Sequence, residues 1–281
     1  MLREALDFPT SGPRGSRALL AGSGLLLLGA LLAGGALYVE ENVSRELAVG
    51  AGVLAVLPAV AVRGYYYRAL RAAATTRYPT APSFAGIGSL LRQGLVSVLV
   101  AVAYALPAGV LFGLGASTNF IPASVTPDVA TVGESLGAVA ALLGIAALLA
   151  ALYLTPAAMA TVAREGSLAA GFRLRSVAEG AATEDYAVGW VLATALQWVL
   201  APIAVGFSTL LVGVPLYFLT AVAARYVWGA SFGAAVGIEP ASVPRVDVTP
   251  PSTRPDVEAA PELDLVDRSD RRDPERGGDG R

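Results

Sequence analysis

Three arginines recur in similar settings: Ala61-Val62-Arg63, Val162-Ala163-Arg164 and Ala223-Ala224-Arg225 each close a long apolar run. A guanidinium at the C-terminal end of a helix complements the helix dipole and can form forked hydrogen bonds to phosphate. Aromatic residues follow two of the three, Tyr65 with Tyr66 and Tyr67, and Tyr226 with Trp228. Rings with a polar edge settle in the headgroup layer of a bilayer. Arg63, Arg68, Arg164, Arg225, Tyr65, Tyr226 and Trp228 are therefore the candidate contacts for anionic lipid headgroups. The plainer reading of these residues is a topology signal with interfacial anchoring. The sharper one is a ring of three arginines at the inner end of three related hairpins.

Deeper in the apolar runs, polar side chains are few. Gln197 and Tyr104 are the candidates for intramembrane polar contacts, either as hydrogen bonds between helices or as contacts to a solute. The runs hold no Asp, Glu, Lys or Arg away from their ends, where ion-coupled transporters usually keep an ionisable group. Much other chemistry is excluded. The chain has no cysteine and no histidine, and all 20 of its basic residues are arginine. Thiolate catalysis, disulfides and the usual general base are absent, and no glycine-rich phosphate loop follows a strand. Glu184 and Asp185 read as charges that suit a helix start. The sequence predicts no catalytic residue, no cofactor, no metal site and no nucleic-acid partner.

The elements that position these residues follow from composition. Of 281 residues, 55% are apolar and 15% charged, where a soluble domain has roughly 25% charged. Apolar runs place spans near 18–39, 47–67, 94–115, 136–160, 186–205 and 208–228. The first is too long for the roughly 7–15-residue core of a cleaved leader and reads as a retained anchor. The uncharged run 186–224 would be about 58 Å long as one helix, nearly twice the hydrocarbon thickness, so it must fold back near 206–208. Pro79 and Pro82 interrupt the loop after the second span. Phe84, Ile87 and Leu91 then fall at helical spacing behind Ser83, which predicts a short in-plane helix at the membrane surface. Pro58, Pro107, Pro156, Pro202 and Pro215 predict kinks. Gly109 with Gly113, and Gly29, Ala30, Ala33 and Gly34, are candidate close-packing positions. The fold class is all-α, a polytopic membrane bundle of six helices over residues 1–238 with one short interfacial helix. An acidic, proline-rich tail over 239–281 has too little apolar surface to order itself. Nineteen arginines fall on one side of this threading and Arg45 alone on the other, which places both termini in the cytoplasm.

Several stretches carry a resemblance: MLREALDFP at the start, Gly64-Tyr65-Tyr66-Tyr67-Arg68-Ala69-Leu70-Arg71, and Pro82-Ser83-Phe84 before Gly94. Pro156, Ala163-Arg164-Glu165-Gly166-Ser167, and Asp185-Tyr186 before Trp190 continue it. In order and spacing they resemble the archaeal membrane proteins grouped as domain of unknown function 4013, found largely in halophiles. The resemblance covers roughly residues 1–235 and implies six membrane helices with cytoplasmic ends; it implies no catalytic residues. The functional expectation is a non-enzymatic membrane protein that organises lipid or partner proteins at the cytoplasmic face. Its partners would be the bilayer, anionic lipid headgroups or another membrane protein. The alternative is a permease or channel for a small solute.

Overall fold

In lipid, a backbone finds hydrogen-bond partners only within its own secondary structure, so long uncharged runs fold as helices. The computed structural model describes residues 2–12, 15–117 and 127–238, and these are helical almost throughout. A short α1 (Leu2–Asp7) leads through a 3-10 turn (Phe8–Thr10) into α2 (Gly15–Asn42) and α3 (Arg45–Thr75). Next come α4 (Ile87–Ser117) and α5 (Pro127–Glu165), a 3-10 turn (Leu168–Phe172) and α6 (Leu174–Ala181). Helix α7 (Glu184–Gly206) is joined to α8 (Gly213–Ala235) by a 3-10 turn (Phe207–Leu210). The expectations for the link 118–126 and for the tail 239–281 lie outside the described residues.

Among the described residues, five helices, α2, α3, α4, α5 and α7, are long and apolar enough to cross a membrane. The chain is a multi-pass membrane protein with an all-α fold. The sixth long helix, α8, has 23 residues, about 34 Å of rise. It is not among those that qualify by composition, and its position explains why it need not be. Helix α8 packs on α7, α3 and α2, and its residues Phe218, Val222, Tyr226, Val227 and 229–233 are buried. The outer helices instead expose Leu20, Leu31, Leu142, Leu149 and Trp198, side chains suited to lipid contact. Helix α8 thus faces protein where its neighbours face lipid.

Chain neighbours pack antiparallel, and α3 joins the two halves by touching α2, α4, α5 and α8. Helices α3 and α4 meet backbone to backbone. A Cβ on Gly64 would stand 2.0 Å from the Leu90 carbonyl oxygen, and one on Gly94 would stand 2.0 Å from that of Val60. The expected GxxxG pair is not such a contact, since a Cβ on Gly109 or Gly113 would meet nothing within 4 Å. The fold-back comes where the length argument puts it. Helix α7 ends at Gly206, Leu211 takes a left-handed φ of 58°, and α8 starts at Gly213. Pro215 therefore sits in the first turn of α8, where a missing N–H costs little.

Two expectations need correction. No separate in-plane helix forms at 83–91; α3 runs on to Thr75, the link 76–86 is non-helical, and α4 begins directly at Ile87. The Arg68 guanidinium holds that link by donating to the carbonyls of Ser83 (2.6 Å) and Ala85 (2.8 Å), to Ser89 Oγ (2.8 Å) and to Gln93 Oε1 (2.7 Å). Ser83 is thus an acceptor for Arg68 and not a helix cap. The short helices with exposed apolar residues lie instead at 168–181, where Leu168, Phe172 and Leu174 face outward and Val177, Gly180 and Ala181 face the bundle. Ion pairs of Arg173 with Glu165 and of Arg175 with Glu179 flank them. The second correction concerns charge: arginines do sit inside long helices, as the site shows.

Candidate functional site

Proline in α5 creates the first feature of the site. Pro156 has no N–H, so the carbonyl of Leu152, four residues earlier, loses its helical donor. The indole Nε1 of Trp190 on α7 donates to that carbonyl at 3.1 Å. One residue on, Tyr186 Oη donates to the carbonyl of Tyr153 at 2.7 Å, while Tyr153 Oη donates to that of Ala181 at 2.6 Å. The rings of Tyr153, Tyr186 and Trp190 meet edge to face, 5.2 and 5.3 Å between centroids. This clamp ties α5 to the start of α7. Beyond it the two helices do not pack backbone to backbone.

The space left there is a cavity of about 350 Å³ walled by α3, α4, α5, α7 and α8. Arg63, Arg225, Gln197, Tyr66 and Trp228 all line it, so it gathers several of the residues singled out in the sequence. Arg225 is not at a helix end. It stands ten residues before α8 finishes at Ala235, about 15 Å below that end. Its guanidinium carbon lies 4.7 Å from the Trp228 ring centroid and 5.1 Å from that of Tyr66. Ring faces stabilise a cation but accept few of its hydrogen bonds. Arg225 Nη1, Trp228 Nε1 and Tyr66 Oη are all buried without a hydrogen-bond partner. Of the other polar side chains in the wall, Thr155 donates to the Ala151 carbonyl and Ser97 to the Met159 sulfur. Among the described residues, no carboxylate lines the cavity.

A second, smaller cleft of about 220 Å³ lies nearer the arginine-rich end, between α3, α4 and the end of α5. Arg71, Arg92, Ser89 and Gln93 line it, with Leu168 at its edge and, among the described residues, no acidic one. None of these four was singled out in the sequence. The available signal was the helical phase of Arg71, four residues beyond Tyr67 on α3.

The structure separates the remaining candidates. Arg164 is exposed in the last turn of α5 and lines neither space. Arg63, Arg164 and Arg225 therefore form no ring at one level, because α3 and α8 continue well past their arginines and α5 does not. Arg68 is the brace of the 83–89 link. Tyr65 is buried and stacked on Phe84 at 4.3 Å, and Tyr226 packs on Phe8 at 4.7 Å, so both hold the core and neither belongs to a surface belt. Tyr104 is parted from Gln197. Its hydroxyl donates to the Gly171 carbonyl at 2.7 Å and its ring stacks on Phe172, in a different, apolar groove.

No curated protein and no solved structure matches the chain. A family profile, described as "Protein of unknown function (DUF4013)", matches residues 49–207. The match takes in most of α3 and continues through α7, including the clamp, the brace and Gln197; α8, with Arg225 and Trp228, lies beyond it. With more than half of its length matched, the chain belongs to the DUF4013 family.

Proposed function

We propose that this membrane protein is non-catalytic and organises anionic lipid at its arginine-rich end, which faces the cytoplasm together with both termini. The observation that carries the reading is the cleft of Arg71 and Arg92. It presents two guanidiniums and the Gln93 side chain, with no acid among the described residues that line it, and the outward-facing Leu168 stands at its edge. Guanidinium forks match phosphate oxygens, and the apolar residue beside them suits the acyl boundary just below a headgroup. The nineteen-to-one distribution of arginines supports the orientation. A permease is the poorer fit, because Gln197 and Tyr104, the two polar candidates for a route, occupy separate spaces.

The test is native mass spectrometry of the full chain released from nanodiscs of equal phosphatidylglycerol and phosphatidylcholine. The expected spectrum shows retained phosphatidylglycerol in excess, and a chain carrying both Arg71→Gln and Arg92→Gln loses the excess. Equal retention of the two lipids by the parent chain overturns the reading.

A further inference from the structure

The lipid cleft leaves the deeper cavity unexplained. We propose that this cavity binds one amphiphile with an acidic head, a carboxylate or phosphate on an apolar chain, whose head meets Arg225. Three observations lead there. The first is charge. The ionisable groups that act on Arg225 are Arg63, Tyr66 and Tyr217, a second cation and two phenols, so among the described residues nothing in its surroundings supplies a negative charge. A buried guanidinium without a counter-ion is costly, and in membrane segments such a group marks a ligand or a partner. The second is unmet hydrogen bonding. Nη1 of Arg225 and Nε1 of Trp228 are donors with no acceptor, while Thr155 and Ser97 spend their hydroxyls elsewhere. An oxyanion offers several lone pairs where the wall offers donors.

The third observation fixes the body of the ligand. Away from Arg225 the wall turns apolar, through Ala101, Ala105, Leu148 and Leu152. Leu148 and Leu152 are also exposed on the outer face of α5, 37% and 54% respectively, beside the gap that separates α5 from α7. A chain leaving the cavity past these leucines enters lipid directly. The volume of about 350 Å³ falls in the range of small-ligand sites, about 300–1,000 Å³. A free inorganic anion would use the arginines and leave the apolar wall unfilled. The site is independent of the cleft of Arg71 and Arg92, with which it shares only Tyr67.

The experiment titrates the full chain in detergent micelles with a dibrominated stearate, whose bromines quench nearby tryptophan. The expected result is saturable quenching whose affinity Arg225→Gln weakens by about tenfold or more, the worth of one charge-assisted hydrogen bond. The brominated alcohol with the same chain gives no saturable quenching. Acetate and inorganic phosphate at millimolar concentration do not displace the stearate. If Arg225→Gln does not fold, Ala101→Leu fills the apolar wall and leaves Arg225 in place, and the same loss of affinity is expected. Equal affinity for acid and alcohol overturns the role of Arg225. Displacement by phosphate alone shows a site for a free anion and overturns the amphiphile. Unchanged affinity in both Arg225→Gln and Ala101→Leu overturns the cavity as the site.

Discussion

The α3–α4 contact makes a quantitative prediction, because two glycines there leave no room for a methyl group. A Cβ at Gly64 would lie 2.0 Å from the Leu90 carbonyl oxygen, whereas carbon and oxygen approach to about 3.3 Å at closest. The obstacle is backbone, so no side-chain rotation relieves it, and the helices must part by about 1.3 Å at that point. Gaps of about 0.5–1 Å already forfeit a quarter to a half of each dispersion contact. Gly64→Ala should therefore destabilise the chain by about 1–3 kcal/mol, the range for overpacked interiors. Gly94→Ala meets the Val60 carbonyl at the same 2.0 Å and should cost a similar amount.

The two effects should not add. Both substitutions push α3 and α4 apart along one direction, so the gap opened by the first accommodates much of the second. The double variant should cost about as much as the worse single one, a coupling of about 1–3 kcal/mol. Gly50 and Gly52 on the same helix provide the control, since a Cβ on either meets nothing within 4 Å. Alanine there should be neutral or stabilising by up to about 1 kcal/mol. The assay is equilibrium unfolding of the purified chain in mixed micelles, followed by circular dichroism. A Gly64→Ala variant as stable as the parent refutes the close contact. Strict additivity in the double variant refutes the shared displacement.

Two further predictions concern the braces around the site. Trp190→Phe orphans the Leu152 carbonyl and should cost about 1–3 kcal/mol in the same unfolding assay, but much less when Pro156→Ala has restored a helical N–H to that carbonyl. Equal cost in both backgrounds means the indole bond does not depend on the proline. Arg68→Lys keeps the charge but loses the fork that reaches four acceptors. Amides of 83–93 should then exchange at least about tenfold faster, with those of α7 unchanged; uniform exchange across the chain would contradict a local brace.

The lipid-facing part of the fold was legible because hydropathy reports contact with lipid. The runs behind α2, α4 and α7, and the fold-back between α7 and α8, follow from length and the absence of charge alone. The helix contacts did not follow. Gly64 and Gly94 are separated by a loop and match no spacing motif, whereas Gly109 and Gly113 match one and face open space. The in-plane helix failed for a related reason. Phe84, Ile87 and Leu91 have helical spacing, but Phe84 leaves the helix to stack on Tyr65, and Arg68 supplies the link's carbonyls with donors. A side chain eighteen or so residues away thus decided a local structure.

The candidate site was half legible for a more general reason. An arginine ends an uncharged run, and the simplest reading places it at the end of a helix. Arg164 is such a case, one residue before α5 ends at Glu165. Arg63 and Arg225 are not, with twelve and ten further helical residues behind them. The difference lies in what surrounds the helix. At its level α8 is enclosed by other helices, and a helix shielded from lipid does not need to be uncharged to continue, whereas Arg63 on α3 stays exposed at the wall of the cavity. The residues that follow the two arginines, Tyr65 to Leu70 and Tyr226 to Gly233, are aromatic and small, and they pack those two helices together. The aromatic run that reads as an interfacial belt is therefore the filling of a protein core, and in α8 the arginine before it is carried inside. Helix α8, which carries both features, is not among the helices apolar enough to cross a membrane by length and composition alone, although α3, which carries them too, is. What distinguishes α8 is its burial, and that burial makes Arg225 the charge that needs a counter-ion.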